Sequence, residues 1–206
     1  MKRMKALLCM LPLLLTGCGG GLGSTESRSM LEQEATAAIE TAATEELPEG
    51  AITDVSGSFV YTGKLEQIGD DDNGYIQVPL GWMEFHEEGV EGMVQYSDAT
   101  GKNIVTLEHY EGIDYQSAAE NMRYYLSENQ KIEGLTGSTT MIGGYDALQL
   151  YCHYADGYFL VIWFAQDPAD TASSYYIAME FDNDHQYVVA CSSTFQSTED
   201  YHAQNG

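Results

Sequence analysis

Positive charge is scarce in this chain. Its 206 residues include 8 lysines and arginines against 32 aspartates and glutamates, which gives a formal net charge of -24 at pH 7. Nucleic acids and anionic lipid head groups are repelled by such a surface, because their binding depends on basic contacts to phosphate. The composition therefore argues against a nucleic-acid partner. It leaves cations and basic protein surfaces as compatible partners, while solubility is the simplest role of so many carboxylates.

Short motifs that identify common enzymes are also missing. The chain contains no Gly-x-Ser-x-Gly, His-Glu-x-x-His or Cys-x-x-Cys sequence and no phosphate-binding loop. His109 and His153 fall within predicted strands, where hydrogen-bonded structural histidines outnumber catalytic ones. The sequence therefore assigns no catalytic residue and no cofactor. A hydrolase that these motifs do not describe stays an alternative, because catalytic residues can come from distant positions.

No apolar run is long enough to span a membrane. The run at residues 6–15 is interrupted by Pro12 and falls short of the roughly 20 residues that a transmembrane helix needs. It follows a basic start, Met1-Lys2-Arg3-Met4-Lys5, and leads into Leu15-Thr16-Gly17-Cys18. Together these segments have the form of a secretory signal peptide.

The stretch Leu15-Thr16-Gly17-Cys18 resembles a bacterial lipobox. The resemblance implies that residues 1–17 are a lipoprotein signal peptide and that the thiol of Cys18 carries a diacylglyceryl group. The alternative is an ordinary apolar cysteine beside a signal that is cleaved elsewhere. With lipidation at Cys18 the protein is anchored to the cell membrane and faces outside the cytoplasm.

Residues 18–57 have too few large apolar side chains to form a packed core. Glycine dominates their start, and alanine, glutamate and threonine dominate residues 30–46. Such a composition buries too little surface to offset chain entropy. We expect a flexible acidic tether, with at most a weak helix, between the anchor and a single folded domain at residues 58–206.

Only two cysteines are left for that domain. Cys152 and Cys191 either form one disulfide in an oxidising compartment or act as buried thiols. Three predicted hairpin links place their strands about 14 Å apart, whereas the Cα atoms of a disulfide lie within roughly 7 Å. We therefore expect two buried free thiols.

The remaining pattern predicts an α+β domain with a mostly antiparallel sheet. One amphipathic helix is predicted at residues 115–126, with Asp114 as its N-cap. The run at residues 158–164 is apolar at both parities, so helices or long loops must cover both faces of the sheet. Strands are predicted at residues 59–61, 75–79, 93–96, 104–110, 138–142, 147–154, 158–164, 175–181 and 186–195, with a further extended piece at 80–85.

This order of elements resembles the Mog1/PsbP-like domains. The resemblance is carried by a strand that runs into Pro79-x-Gly81-Trp82, by the single amphipathic helix, by the strand-rich C-terminal half and by Ser193-Thr194-Phe195 in the last strand. It implies an α/β/α sandwich followed by a short polar tail. Family members are best known as accessory and binding proteins, to a small GTPase or to the photosynthetic oxygen-evolving complex, so the resemblance implies a binding role without a partner.

Two acidic segments do not meet the requirements of a metal site. A calcium loop at residues 70–74 would need an acidic residue in place of Gly69 and a glutamate in place of Leu80. His86 has carboxylates nearby but no second histidine at ligand spacing. The sequence therefore assigns no metal ligand.

The most consistent interpretation is a membrane-anchored extracytoplasmic lipoprotein. We expect a non-catalytic binding or accessory module that has a protein partner at the cell envelope. The alternative is capture of a small ligand or a divalent cation in a pocket rimmed by some of the 15 tyrosines and by carboxylates.

Overall fold

The computed structural model describes Tyr61 and residues 63–87, 91–182 and 186–206. The predicted signal peptide, the lipidation site at Cys18, the tether and the predicted strand at 59–61, apart from Tyr61, lie outside the described residues. None of the described helices is long and apolar enough to cross a membrane.

The described chain forms an α+β domain, as the sequence predicts. The strands are Leu65–Asp70 (β1), Gly74–Pro79 (β2), Met83–Glu84 (β3), Val94–Ser97 (β4), Ile104–Tyr110 (β5), Ile132–Ile142 (β6), Tyr145–Tyr154 (β7), Phe159–Gln166 (β8) and Ser174–Phe181 (β9). The helices are Tyr115–Ser127 (α1), Gln186–Ser192 (α2) and Thr198–Asn205 (α3). Seven strands form one antiparallel sheet in the order β3-β4-β5-β9-β8-β7-β6, and β1 pairs with β2 in a separate hairpin.

Apolar residues cover both faces of this sheet, which confirms the interpretation of the apolar strand β8. On one face α1 packs its buried residues Ala118, Met122 and Leu126 against β7 and β8. On the other face the β1–β2 hairpin and α2 form a second core with residues of β8 and β9. Burial of a side chain as large as that of Met122 or Leu126 stabilises the fold by about 1.5–3 kcal/mol.

Helix α1 begins as its sequence predicts. The Asp114 carboxylate accepts hydrogen bonds from the backbone N–H groups of Gln116 and Ser117, at 3.0 and 2.9 Å. These bonds satisfy two of the N–H groups that the first turn leaves without helical partners. They also hold the pKa of Asp114 below its usual value, although burial opposes this effect.

The predicted strand at residues 186–195 is wrong. Residues Gln186–Ser192 form helix α2, and Ser193-Thr194-Phe195 lies beyond its end instead of in a last strand. Val188 and Cys191, three residues apart on one helical face, are both buried in the core that contains the β1–β2 hairpin. Tertiary packing of this face outweighs the β-propensity of the valines.

Two further elements were not predicted. Strand β1 has only two apolar residues, Leu65 and Ile68, and therefore shows no alternating pattern. The expected polar tail contains helix α3, whose N-cap Ser197 accepts a hydrogen bond from the backbone N–H of Asp200 at 3.3 Å. A cap followed by acidic residues in the first turn is a helix-start signal that the sequence did contain.

Both cysteines of the domain are free and buried, as predicted. The physical reason differs from the prediction, because Cys191 belongs to a helix instead of a fourth strand. Cys152 lies in the core under α1, whereas Cys191 lies in the core on the opposite face of the sheet. Burial raises the pKa of each thiol to about 12, so neither is a ready nucleophile.

Candidate functional site

A histidine and a buried carboxylate meet at one edge of the large sheet. Strands β5 and β8 both run antiparallel to β9, so they are parallel to each other and their C-terminal ends share an edge. His109 lies near the end of β5, and Asp167 directly follows β8. The two side chains form a hydrogen bond between Nε2 of His109 and Oδ2 of Asp167, which lie 2.9 Å apart.

The surroundings fix the geometry of this pair. The Asp167 side chain is 7% exposed, and its second oxygen accepts a hydrogen bond from the backbone N–H of Ala169 at 2.9 Å. Because an ionised carboxylate only accepts hydrogen bonds, Nε2 of His109 carries the proton. The imidazole also lies against the ring of Tyr175, with ring centroids 4.7 Å apart.

The β1–β2 turn is attached to the same edge. The Asn73 side chain accepts a hydrogen bond from the backbone N–H of His109 at 3.1 Å and donates to the Asp70 carboxylate at 3.0 Å. Asp70 also accepts from the backbone N–H groups of Asp72 and Asn73. The Asp70 side chain is therefore engaged in hydrogen bonds within the turn.

Ser173 lies near the His109–Asp167 pair, since its backbone oxygen accepts a hydrogen bond from the backbone N–H of Asp167 at 3.3 Å. The nearby Ser173 hydroxyl donates to Asp170 at 2.7 Å and accepts from the backbone N–H of Gly112 at 2.9 Å. The single proton of the Ser173 hydroxyl is thus donated to the Asp170 carboxylate. His109 is thus a strand histidine that is hydrogen bonded to a buried carboxylate.

A second group of polar and aromatic side chains is displayed next to this edge. We call Asp71, Tyr75, Tyr201 and His202 the C-terminal surface, since α3 supplies two of its four members. The Asp71 carboxylate accepts a hydrogen bond from the Tyr75 hydroxyl at 2.7 Å and contacts Nε2 of His202 at 2.6 Å. The rings of Tyr75 and Tyr201 are stacked, with centroids 3.7 Å apart.

These contacts change the acidity of two groups. Hydrogen bonds from Tyr75 and His202 hold the pKa of Asp71 below its usual value. The hydrogen bond to Asp71 raises the pKa of Tyr75 to about 12. The surface therefore keeps an ionised carboxylate and a neutral phenol over the physiological pH range. The Asp71 and His202 side chains are 67% and 57% exposed, whereas Tyr75 is half-buried.

Helix α3 is held in position by contacts to three parts of the domain. The Thr198 hydroxyl donates to the backbone oxygen of Asp71 at 2.9 Å. The Tyr145 hydroxyl bonds the Asp200 carboxylate, and the backbone of Gln196 pairs with Tyr75 in both directions, at 2.8 and 2.9 Å. The C-terminal surface is consequently a fixed part of the fold.

The other histidines form looser pairs. His86 lies 3.5 Å from Glu84, and His153 lies 3.8 Å from Glu133, with both contacts near the surface. Across residues 63–87, 91–182 and 186–206, no three histidine, cysteine, aspartate or glutamate side chains are grouped to hold a metal ion. His185 lies outside the described residues.

Neither a scan against protein-family models nor a search of curated proteins finds a match for this chain. Functional assignment therefore depends on the residues themselves. Sequence patterns did not reveal the His109–Asp167 pair or the C-terminal surface, whose partners are separated by 58 and 131 residues. The closeness of each pair follows only from the strand order and from the position of α3.

Proposed function

We propose that the protein is a lipid-anchored binding module that faces outside the cytoplasm and has no catalytic role. The C-terminal surface is the observation that carries the proposal. Tyrosine and other aromatic side chains are enriched at protein interfaces, because they bury a large area at a low entropy cost. Here they are displayed on a frame that hydrogen bonds and ring stacking already hold in place.

The charge of this surface indicates the chemistry of its partner. Asp72 and Glu199 are exposed beside the C-terminal surface. Among the described residues, no lysine or arginine forms a salt bridge with this surface. A basic protein surface at the cell envelope complements this arrangement. Such complementarity steers association and makes it sensitive to salt.

The anchor in this proposal is Cys18, supported by the signal-like order of residues 1–18 in the sequence. Two or more acyl chains hold a protein far more firmly than one, at about 0.8 kcal/mol for each buried methylene. An acidic tether at residues 18–57 would let the domain reach a partner away from the lipid surface.

We also propose that the domain is a Mog1/PsbP-like α/β/α sandwich. The layers support this, since α1 covers one face of the sheet, and α2 together with the β1–β2 hairpin covers the other. The Pro79-x-Gly81-Trp82 segment connects β2 to β3, where Trp82 packs edge-on against Tyr187 of α2 at 5.4 Å. The end of the family pattern fits less well, because Ser193-Thr194-Phe195 is not in a strand.

The anchor is tested by labelling cells that express the full chain with a palmitate analogue. We expect label and membrane association in the unmodified protein, and loss of both in Cys18→Ala. The Cys9→Ala variant is the matched control, since that cysteine belongs to the predicted signal peptide. Membrane association that survives in Cys18→Ala would contradict a lipid anchor at this residue.

The binding surface is tested by crosslinking on intact cells. We expect one reproducible crosslinked protein that is lost in Tyr201→Ala and weakened by high salt. Tyr124→Ala is the control, because Tyr124 is also a helical tyrosine and is 71% exposed, but lies on α1. A crosslinked protein that persists in Tyr201→Ala and disappears in Tyr124→Ala would move the interface to the other face of the domain.

A further inference from the structure

The two edges of the large sheet differ in length. Strand β3 forms one edge and has two residues, whereas β6 forms the other edge and has 11 residues. Among the described residues, no further strand pairs with the outer side of β6. An open edge presents unpaired N–H and C=O groups, and proteins commonly protect such edges by short strands, by proline, by charge or by bulges.

Strand β6 has little of this protection. Residues 134–145 include no charged residue and no proline, although the whole chain carries a formal net charge of -24. A bulge lies between Glu133 and Thr136, so irregular geometry protects only the beginning of the strand. From Thr136 to Ile142 the pairing with β7 is regular. This regular and uncharged stretch is therefore suited to pairing with another strand.

The turn between β6 and β7 shows which backbone groups point outward. Gly143 and Gly144 form a two-residue turn, which makes the flanking residues Ile142 and Tyr145 a hydrogen-bonded pair. Hydrogen-bonded and non-hydrogen-bonded pairs alternate along antiparallel strands, so every second residue before Ile142 directs its N–H and C=O groups away from β7. These outward residues are Gly137, Thr139 and Met141.

The outward residues form a row on the sheet face that α1 covers. Gly137 lies opposite Leu150 of β7, which belongs to the core under α1, and a Cβ atom added at Gly137 would lie 3.4 Å from Cδ2 of this leucine. Thr139 lies opposite Leu148 of the same core. Met141 is 62% exposed. The row therefore has a gap at its glycine and a projecting apolar side chain at its other end.

A second copy of the same edge complements this row. Antiparallel pairing of two β6 strands about a two-fold axis at Thr139 places Met141 of each copy opposite Gly137 of the other, because residues at equal distances from the axis meet. Each exposed methionine then covers the gap at a glycine. The same register joins the outward N–H and C=O groups in hydrogen-bonded pairs. A shift by two residues would place an outward residue opposite the bulge or the turn.

The opposite face of the two strands is also complementary. About the same axis, Thr140 of each copy lies opposite Ser138 of the other, in a non-hydrogen-bonded pair whose side chains are close together. Both residues are half-buried. The Thr140 hydroxyl donates to the backbone oxygen of Met141 over a long distance, 3.5 Å. A shorter hydrogen bond to the Ser138 hydroxyl of the second copy would be stronger.

Charge favours a second copy over a basic partner at this edge. Two copies of so acidic a chain repel each other wherever their carboxylates meet, and the uncharged residues 134–145 avoid this repulsion. Glu133 of the two copies would lie at opposite ends of the paired strands. A basic partner, which suits the C-terminal surface, gains no electrostatic attraction from the residues of this edge.

We propose that β6 pairs with β6 of a second copy of this chain, so that two seven-stranded sheets form one continuous antiparallel sheet across a two-fold axis at Thr139. The edge shares no residue with the C-terminal surface. The inference therefore goes beyond the proposed function and does not depend on it.

The test is cysteine crosslinking on intact cells that express the full chain. Thr139→Cys places two thiols at the axis, where the Cα atoms of a hydrogen-bonded pair are about 5.5 Å apart and within reach of a disulfide. Mild oxidation should give a dimer that reductant separates. Thr140→Cys is the matched control, because its two copies are offset along the strands by two residues and their Cα atoms are about 8 Å apart.

Substitutions in the Thr139→Cys background test the side-chain contacts. Met141→Lys places a charge beside the second copy, and we expect it to reduce the crosslinked fraction about tenfold. Met83→Lys is its control, since Met83 is 56% exposed on β3 at the other edge of the sheet. Tyr201→Ala should also leave the crosslinked fraction unchanged, which separates this edge from the C-terminal surface. Melting curves report whether each variant is folded.

The pairing is supported by a Thr139→Cys dimer that Met141→Lys removes and Met83→Lys retains. It is overturned if Thr139→Cys stays monomeric, crosslinks to a different protein, or crosslinks no better than Thr140→Cys. Equal losses in Met141→Lys and Met83→Lys would likewise exclude this register.

Discussion

The turn between β6 and β7 offers a sharp test of how the C-terminal segment is fixed to the sheet. Gly143 and Gly144 form this two-residue turn, with φ of 58° and 97°. Positive φ at both residues is typical of the turn that matches the twist of a hairpin. A Cβ atom on Gly143 would overlap the carbonyl oxygen of Phe195, whereas a Cβ atom on Gly144 meets nothing within 4 Å.

The substitutions Gly143→Ala and Gly144→Ala therefore place the same methyl group against backbone in one case and in open space in the other. Left-handed backbone costs alanine about 1–2 kcal/mol at either position. The φ of Gly143 lies at the left-handed minimum and that of Gly144 does not, so backbone conformation alone makes Gly144→Ala the costlier change. Overlap with Phe195 adds about 1–3 kcal/mol to Gly143→Ala and reverses this order.

Urea unfolding followed by tryptophan fluorescence measures both values. We expect a free energy of unfolding that falls by about 2–5 kcal/mol in Gly143→Ala and by about 1–2 kcal/mol in Gly144→Ala, with unchanged slopes. A loss in Gly143→Ala that is equal to or smaller than that in Gly144→Ala would refute the contact between the turn and Phe195. The position of α3, which begins three residues later, would then lose a main support.

Three more measurements test local features of the domain. Asp114→Ala should lower the free energy of unfolding by about 1 kcal/mol, and Asp114→Asn, which keeps the cap oxygen, by much less. Alkylation followed by mass measurement should leave Cys152 and Cys191 unmodified in the folded protein and modify both after unfolding, with or without reductant; modification only after reduction would show a disulfide. Between about pH 5 and about pH 7 the protein should lose about 1–3 kcal/mol relative to Glu108→Gln, since burial raises the pKa of this carboxyl and folding keeps it protonated while the unfolded chain releases the proton; parallel pH profiles would contradict the raised pKa of Glu108.

Local patterns were sufficient to predict the elements that are buried on both faces or on one face only. Strand β8 is buried on both faces, and its sequence is apolar at both parities. Helix α1 has a cap at Asp114 and an apolar stripe, and both are found in the structure. Strand β1 has neither signal, because it is held mainly by its pairing with β2, which depends on residues outside its own sequence.

The candidate sites could not be predicted from local patterns. The His109–Asp167 pair forms because β5 and β8 lie on either side of β9, and nothing within either strand specifies that arrangement. Glu108 likewise faces Tyr176 only because β5 pairs with β9. Both arrangements depend on one long-range feature of the fold, the placement of β5 beside β9.

That same placement explains why the last predicted strand is a helix. A meander from β7 through β8 to β9 leaves one edge of β9 open, and residues 186–195 would then have been free to pair there. In the structure β5 occupies this edge over its whole length, so both edges of β9 are satisfied.

The chain after β9 must leave the sheet, and it pairs its backbone internally as α2 because buried N–H and C=O groups need partners. Helix α2 packs on β2, and beyond it Gln196 pairs with Tyr75, which brings Tyr201 onto the ring of that tyrosine. The C-terminal surface is therefore a consequence of the β5–β9 pairing.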